Sequence, residues 1–185
     1  MIIIDDFLEK PLFDKIQEEF MGNEIPWYYN PTKSKGEGQE DLRNQQMFHM
    51  IYGFDHMIQR KKSHALGMVM PLLFKLKPLA ILRWKANLQQ ATQDIYQSPF
   101  HCDSDNIPDN VFAYTGVYYV NSNNGYTIFE DTGDKVYSEE NRLVLFDSRR
   151  KHAGSTCTDE KVRVVINLNF IPSNETLLEE KITKD

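Results

Sequence analysis

The sequence predicts an α+β fold, with helices first and a β-roll second. Two observations carry this. Apolar residues near the N-terminus recur at helical spacing. After Pro78 the pattern switches to short runs of β-branched and aromatic residues divided by tight turns, as in a sandwich or jelly roll. A chain of 185 residues, 41% hydrophobic and 12% aromatic, has the size of one domain and can bury a substantial core. The expected layout is a helical support over about 1–78, a β-roll over about 79–172 and a polar tail over 173–185, all in one domain, 1–185.

Taken in order, Ile2–Ile4 reads as a short buried strand. Pro11 sits where a helix can start. Leu12, Phe13, Ile16 and Phe20 then form one apolar face, with Asp14, Lys15, Glu18 and Glu19 outside it. Gly22 and Asn23 end that helix. Residues 24–46 are rich in Pro, Gly and charge and lack a period, which predicts a long loop. Trp27, Tyr28 and Tyr29 in it are candidates for a substrate lid or for packing onto the roll. Ile58, Leu66, Val69, Leu72, Leu73 and Leu76 predict a mainly helical stretch over 55–76, which Pro71 either kinks or divides. Leu79–Leu88 and Val111–Val120 read as strands, and Asn121–Gly125 as a turn. Tyr126–Glu130, Lys135–Tyr137, Arg142–Phe146 and Val162–Ile171 follow as further strands.

A net charge of −6 gives no overall steering of polyanions, so nucleic acid is not the expected partner. Two cysteines, Cys102 and Cys157, are too few for a disulfide framework and fit a reducing compartment. Cys102 reads as a small buried filler and Cys157 as a turn residue. The apolar start is broken at once by Asp5 and Asp6, and no apolar run approaches membrane-spanning length. These features predict a soluble cytoplasmic protein without a membrane segment.

The chemistry concentrates in FHCDSDN. If Gln97–Asp103 is a strand, alternation turns His101 and Asp103 to one face, where they can share a metal ion. Of five histidines, His152 is the one downstream, just after a strong strand. Two imidazoles and a carboxylate make the facial triad of non-haem iron(II) oxygenases; a closed zinc site would more often use thiolates. Arg163 begins the alternating strand RVVINLNF, in which Arg163, Val165, Asn167 and Asn169 share a face. A buried arginine needs a partner, and a dicarboxylate supplies one as a bidentate pair.

The order of His-x-Asp, a Gly-containing hairpin, a distal histidine and an arginine on the last strand resembles the 2-oxoglutarate-dependent iron(II) dioxygenases, in particular the prolyl-4-hydroxylase-like branch. The resemblance covers roughly 79–172, through YYVNSNNGYTIFED, LVLFDSRRKHAGS and RVVINLNFI; small oxygenases carried by marine bacteriophages look similar. It implies a double-stranded β-helix that hydroxylates a C–H bond, with peptidyl proline the first substrate guess, while decarboxylating 2-oxoglutarate to succinate. By the same resemblance His101, Asp103 and His152 bind Fe(II), and Arg163 binds the distal carboxylate of 2-oxoglutarate, helped by Tyr119 and Asn167. O2 is consumed and ascorbate can support the reaction. The implied partners are 2-oxoglutarate and a second substrate, a protein side chain or small molecule, in the cytoplasm of the cell or, for a phage protein, of its host. The sequence departs from the family where relatives often carry a tyrosine upstream of His-x-Asp. Here RWKANLQQ offers Asn87 or Gln89 instead.

Other residues have plainer readings. Asp105 and Asp109, near Pro108, suit a turn or cap. His49 suits a hydrogen-bonded interior position. Arg149, Arg150 and Lys151 either face the mouth of the site or form a solvated face. Arg83 and Lys85 share one strand face and are candidates to reach the site. The alternative function is a non-catalytic binding or scaffold module with a vestigial metal site. A cupin-like enzyme would carry further histidines around a glutamate after Asp103, which this chain lacks.

Overall fold

The computed structural model describes residues 1–34, 40–54, 60–103, 107–108 and 110–176. Strand β1 (Ile2–Ile4) leads into helix α1 (Lys10–Met21), which has Pro11 in its first turn and buries Phe13, Ile16 and Phe20. Leu12, expected on that face, is exposed. The helix ends where a Cβ on Gly22 would lie 2.6 Å from Glu18 O, so the chain can turn across that carbonyl only with glycine there.

The segment expected to be a helical support mixes strands with its helices. Tyr28–Asn30 is β2, Gln46–Phe54 is β3 and Arg60–Lys62 is β4. After α1, helix among the described residues is confined to α2 (Ala65–Met68) and α3 (Met70–Leu76), divided ahead of Pro71; residues 55–59 of the expected helix lie outside the described residues. Sheet pairing explains the difference: Met47 to Tyr52 lie against Trp84 to Leu88, and this ladder outweighs local propensity. Trp27 packs on the core beside Phe20, whereas Tyr28 and Tyr29 are exposed.

The β-roll matches the expectation closely. Its strands are β5 (Pro78–Gln90), β6 (Tyr114–Tyr119), β7 (Asn123–Phe129), β8 (Lys135–Ser138), β9 (Leu143–Asp147), β10 (His152–Gly154) and β11 (Val162–Pro172). Among the described residues the larger sheet runs β1-β9-β6-β11-β5-β3-β2, with β4 on β3, and the smaller runs β10-β7-β8. The pairings are antiparallel. The two sheets face each other as a jelly roll.

Alternation divides the large sheet into two faces. Trp84, Ala86, Tyr118, Val164, Ile166, Leu168 and Phe170 pack against the helices with Phe7, Phe13 and Phe20. The opposite face carries Val117, Tyr119 and Val165, which meet Phe129, Val136, Val144 and Phe146. Arg163, Asn167 and Asn169 belong to this inner face of β11, and Arg83, Lys85, Asn87 and Gln89 to that of β5. The register Asn167↔Lys85 and Val165↔Asn87 sets the two polar rows side by side.

Asn141 ties the N-terminal segment to the roll. It is buried at φ 60, its Oδ1 accepts from Leu8 N (2.9 Å) and from the Tyr118 hydroxyl (2.7 Å), and its Nδ2 donates to Leu8 O (2.8 Å). Alanine cannot replace these bonds and resists a left-handed backbone. Asn141→Ala should therefore lower the unfolding free energy by about 2–4 kcal/mol, read from urea denaturation.

Candidate metal centre

The His-x-Asp segment was expected to be a strand, and it is not one. Pro99 cannot donate to a ladder, and the segment makes isolated bridges, Gln97 to Ser155 and His101 to His152. The second bridge is closed in both directions: His101 N donates to His152 O (3.0 Å) and His152 N to His101 O (2.9 Å). Asp103 N donates to Ser148 O (3.0 Å). These bonds hold the segment against β10, so the two histidines and the aspartate still converge. Ser104, Asp105, Asn106 and Asp109 lie outside the described residues.

One ligand atom from each of His101, Asp103 and His152 lies within 4.8 Å of the others. The imidazole centroids are 4.6 Å apart, and His152 Nε2 is 3.9 Å from Asp103 Oδ2. Each ring turns Nδ1 to a backbone carbonyl, His101 to Pro99 O (3.4 Å) and His152 to Arg150 O (3.1 Å). A carbonyl only accepts, so Nδ1 carries the proton and Nε2 keeps the lone pair that a metal needs. Burial, then the neighbouring His152, push His101 down to about 4, which leaves it neutral at physiological pH. Phe146 stacks edge-on to His152 with centroids 4.7 Å apart and fixes its ring.

Asp103 is gripped from several sides. Oδ1 accepts from Arg83 Nη2 (3.0 Å), and Oδ2 from Asn169 Nδ2 (3.1 Å) and the Thr115 hydroxyl (3.2 Å). Arg83 also donates from Nε and Nη2 to Asn169 Oδ1 (3.2 and 3.1 Å). Burial alone would raise the carboxyl's pKa. Arg83, then the two histidines and the Asn169 amide, outweigh that and hold it well below the usual carboxylate range.

A small cavity of about 120 Å³ opens beside the triad. Arg83, Lys85, Asn87 and Gln89 reach it from β5, and Arg163 and Asn167 from β11. Both candidate replacements for the upstream tyrosine are therefore on its wall. Gln46, Thr127 and Lys33 join them, and sequence reasoning had singled out none of the three. Arg163 is 3% exposed. It donates to Ser138 Oγ (2.8 Å), Gln89 Oε1 (3.4 Å) and Thr127 Oγ1 (3.4 Å). A Cβ on Gly125 would lie 2.6 Å from Arg163 Cδ, so this glycine makes room for the arginine stem. Tyr119, expected at the ligand, stands behind the wall. Its hydroxyl donates to Thr127 Oγ1 (2.9 Å) and its ring centroid is 5.5 Å from the Arg163 guanidinium carbon.

The remaining candidates serve structure. His49 Nδ1 donates to Pro26 O (2.8 Å) and its Nε2 accepts from the Ser63 hydroxyl (2.6 Å). Arg150 pairs with Asp131 and Lys151 with Glu130, so these charges are spent on the surface. Cys157 is buried, with Sγ donating to Glu160 O (3.4 Å), and Cys102 is half-buried.

Charge and hydrogen-bonding capacity define what fits. Among the described residues Arg83 pairs with Asp103, but no carboxylate pairs with Lys33, Lys85 or Arg163. Burial, then Arg83, push Lys85 down to about 8; burial, then Arg163 and Lys85, push Lys33 well below its ordinary value. Gln46 Oε1, Asn87 Oδ1 and Gln89 Nε2 are buried without a partner among the described residues. Buried polar atoms are normally bonded. A compact dianion such as 2-oxoglutarate fits this surplus of positive charge, and two imidazoles with one carboxylate fit Fe(II).

The jelly roll is the architecture of the 2-oxoglutarate/Fe(II) oxygenases. A 2OG-Fe(II) oxygenase family oxidoreductase from Burkholderia pseudomallei superposes with a TM-score of 0.64 at 10% identity, over 94% of this chain and 86% of its own. The Trichoplax adhaerens prolyl hydroxylase, solved with a hypoxia inducible factor peptide, gives 0.61 at 14% identity over 92% and 83%. The α-ketoglutarate-dependent epimerase SnoN of nogalamycin biosynthesis gives 0.61 at 13% over 92% and 76%. No protein-family model and no curated protein matches the sequence. At these identities the likeness is one of fold, and the chemistry rests on the site itself.

Proposed function

We propose that this protein is a 2-oxoglutarate- and Fe(II)-dependent dioxygenase that hydroxylates a C–H bond. The observation that carries this is the His101–Asp103–His152 cluster beside a cavity in which, among the described residues, no carboxylate pairs with Lys33, Lys85 or Arg163. His101 and His152 offer Nε2 and Asp103 a carboxylate oxygen to the metal. Arg83, Asn169 and Thr115 hold that carboxylate ionised and oriented. Arg163 anchors the far carboxylate of 2-oxoglutarate, with Thr127 and Asn167 beside it and Tyr119 supporting Arg163 and Thr127 from behind. Asn87 or Gln89, both on the cavity wall, would stand in for the family's upstream tyrosine. Iron(II) with 2-oxoglutarate and O2 supplies the oxidising chemistry: one oxygen atom enters succinate as CO2 leaves, and the other becomes the product hydroxyl.

Peptidyl proline is the first substrate to test, since a prolyl hydroxylase with its peptide shares the fold. No helix among the described residues is long and apolar enough to cross a membrane, in keeping with the cytoplasmic location we propose. The test supplies Fe(II), 2-oxoglutarate and ascorbate and follows succinate with and without proline-containing peptides. Succinate formed in proportion to 2-oxoglutarate consumed is expected even without substrate, at a slow rate that a true substrate raises. No binding of 2-oxoglutarate under anaerobic conditions with Fe(II) present would leave a non-catalytic module as the reading.

A further inference from the structure

Lys33 reaches the cavity from outside the β-roll, from the connection between β2 and β3. The residue is half-buried, and Nζ donates to Gly154 O at 3.2 Å. A Cβ built on Gly154 would lie 3.0 Å from Lys33 Nζ and 3.5 Å from Arg163 Nη1. The two cations thus approach the same side of one glycine. Among the described residues their partners are neutral: a carbonyl for Lys33, and Ser138, Gln89 and Thr127 for Arg163. Like charges in a partly buried cavity repel, and an anion between them removes the repulsion. One arginine would suffice to hold a carboxylate. A second cation at the same end makes the presence of that carboxylate a condition of tight binding.

Building on the dioxygenase reading, we propose that Lys33 is a specificity-determining residue. It shares the distal carboxylate of 2-oxoglutarate with Arg163 and so selects a dicarboxylate over a 2-oxo acid with an uncharged tail. Gly154 is what lets both cations close on that carboxylate, because any side chain there would stand between them.

Calorimetry with Mn(II) in place of iron tests this without turnover. The ligands are 2-oxoglutarate and 2-oxopentanoate, which keeps the metal-binding end and lacks the distal carboxylate. In Lys33→Met the dissociation constant for 2-oxoglutarate should rise about 10- to 100-fold, the loss of one charge-assisted bond. That for 2-oxopentanoate and the affinity for Mn(II) should not change, and Lys33→Arg should recover most of the loss. Equal weakening of both ligands would mean a merely structural role and overturn the assignment, as would unchanged 2-oxoglutarate binding. A wild type that binds Mn(II) but no 2-oxoglutarate would instead overturn the dioxygenase reading, and this assignment with it.

Discussion

Replacing His152 with alanine should abolish 2-oxoglutarate turnover and lower metal affinity by more than about 100-fold. Losing a residue that only supports a metal ligand costs about 10–100-fold, so losing a ligand costs more. The two remaining donors, His101 and Asp103, leave the ion mostly in water's hands. His152 is also 3% exposed and packed between His101 and Phe146, so its removal leaves a hole worth about 1–3 kcal/mol of stability. That loss does not unfold a domain of ordinary stability. Mn(II) binding followed by electron paramagnetic resonance, beside the circular dichroism of the same sample, separates the two effects. A folded variant with unchanged metal affinity would remove His152 from the site.

Arg163→Met has the opposite balance. A bidentate pair with a carboxylate comprises two charge-assisted bonds, together worth about 3–5 kcal/mol, so the dissociation constant for 2-oxoglutarate should rise by roughly 10²–10³-fold or more. Metal affinity should be retained, because Arg163 makes no bond to the triad. Stability without ligand should hardly fall. The arginine is a buried cation with neutral partners, and burial lowers its pKa, a sign that the fold bears the charge at a cost. Thermal melts with and without 2-oxoglutarate read both quantities at once. The ligand-induced rise in Tm should vanish while the ligand-free Tm stays near that of the wild type. A large ligand-free loss with the induced rise intact would show that Arg163 serves folding.

Much of the site was legible because it sits on regular strands. In RVVINLNF the period of two assigns Arg163, Asn167 and Asn169 to one face, and β11 keeps that alternation. Arg83 and Lys85 were legible in the same way, although nothing in the sequence indicated that Arg83 would grip Asp103. His101 and Asp103 were expected to meet on one strand face; the segment is no strand, and reciprocal backbone bonds to His152 bring the two side chains together instead. Tyr119 has the expected parity, but its hydroxyl is taken by Thr127, a contact across sheets that no local pattern encodes. Lys33 comes from a stretch without period, and Gln46 precedes MFHMIY, whose apolar residues occupy both parities and hide the alternation of β3. Both reach the cavity through long-range packing alone.

Strands β5 and β11 carry the helix-facing core on one side and the cavity wall on the other. Because neighbouring residues answer to different demands, the two rows can diverge at different speeds. Exchanges at Lys85, Asn87 or Asn167 alter what the cavity receives without touching Trp84, Ala86 or Ile166, so a lineage can explore new substrates while its scaffold stays put. The same separation serves an engineer: a library confined to the inward-facing positions samples new chemistry on a frame whose packing remains unchanged.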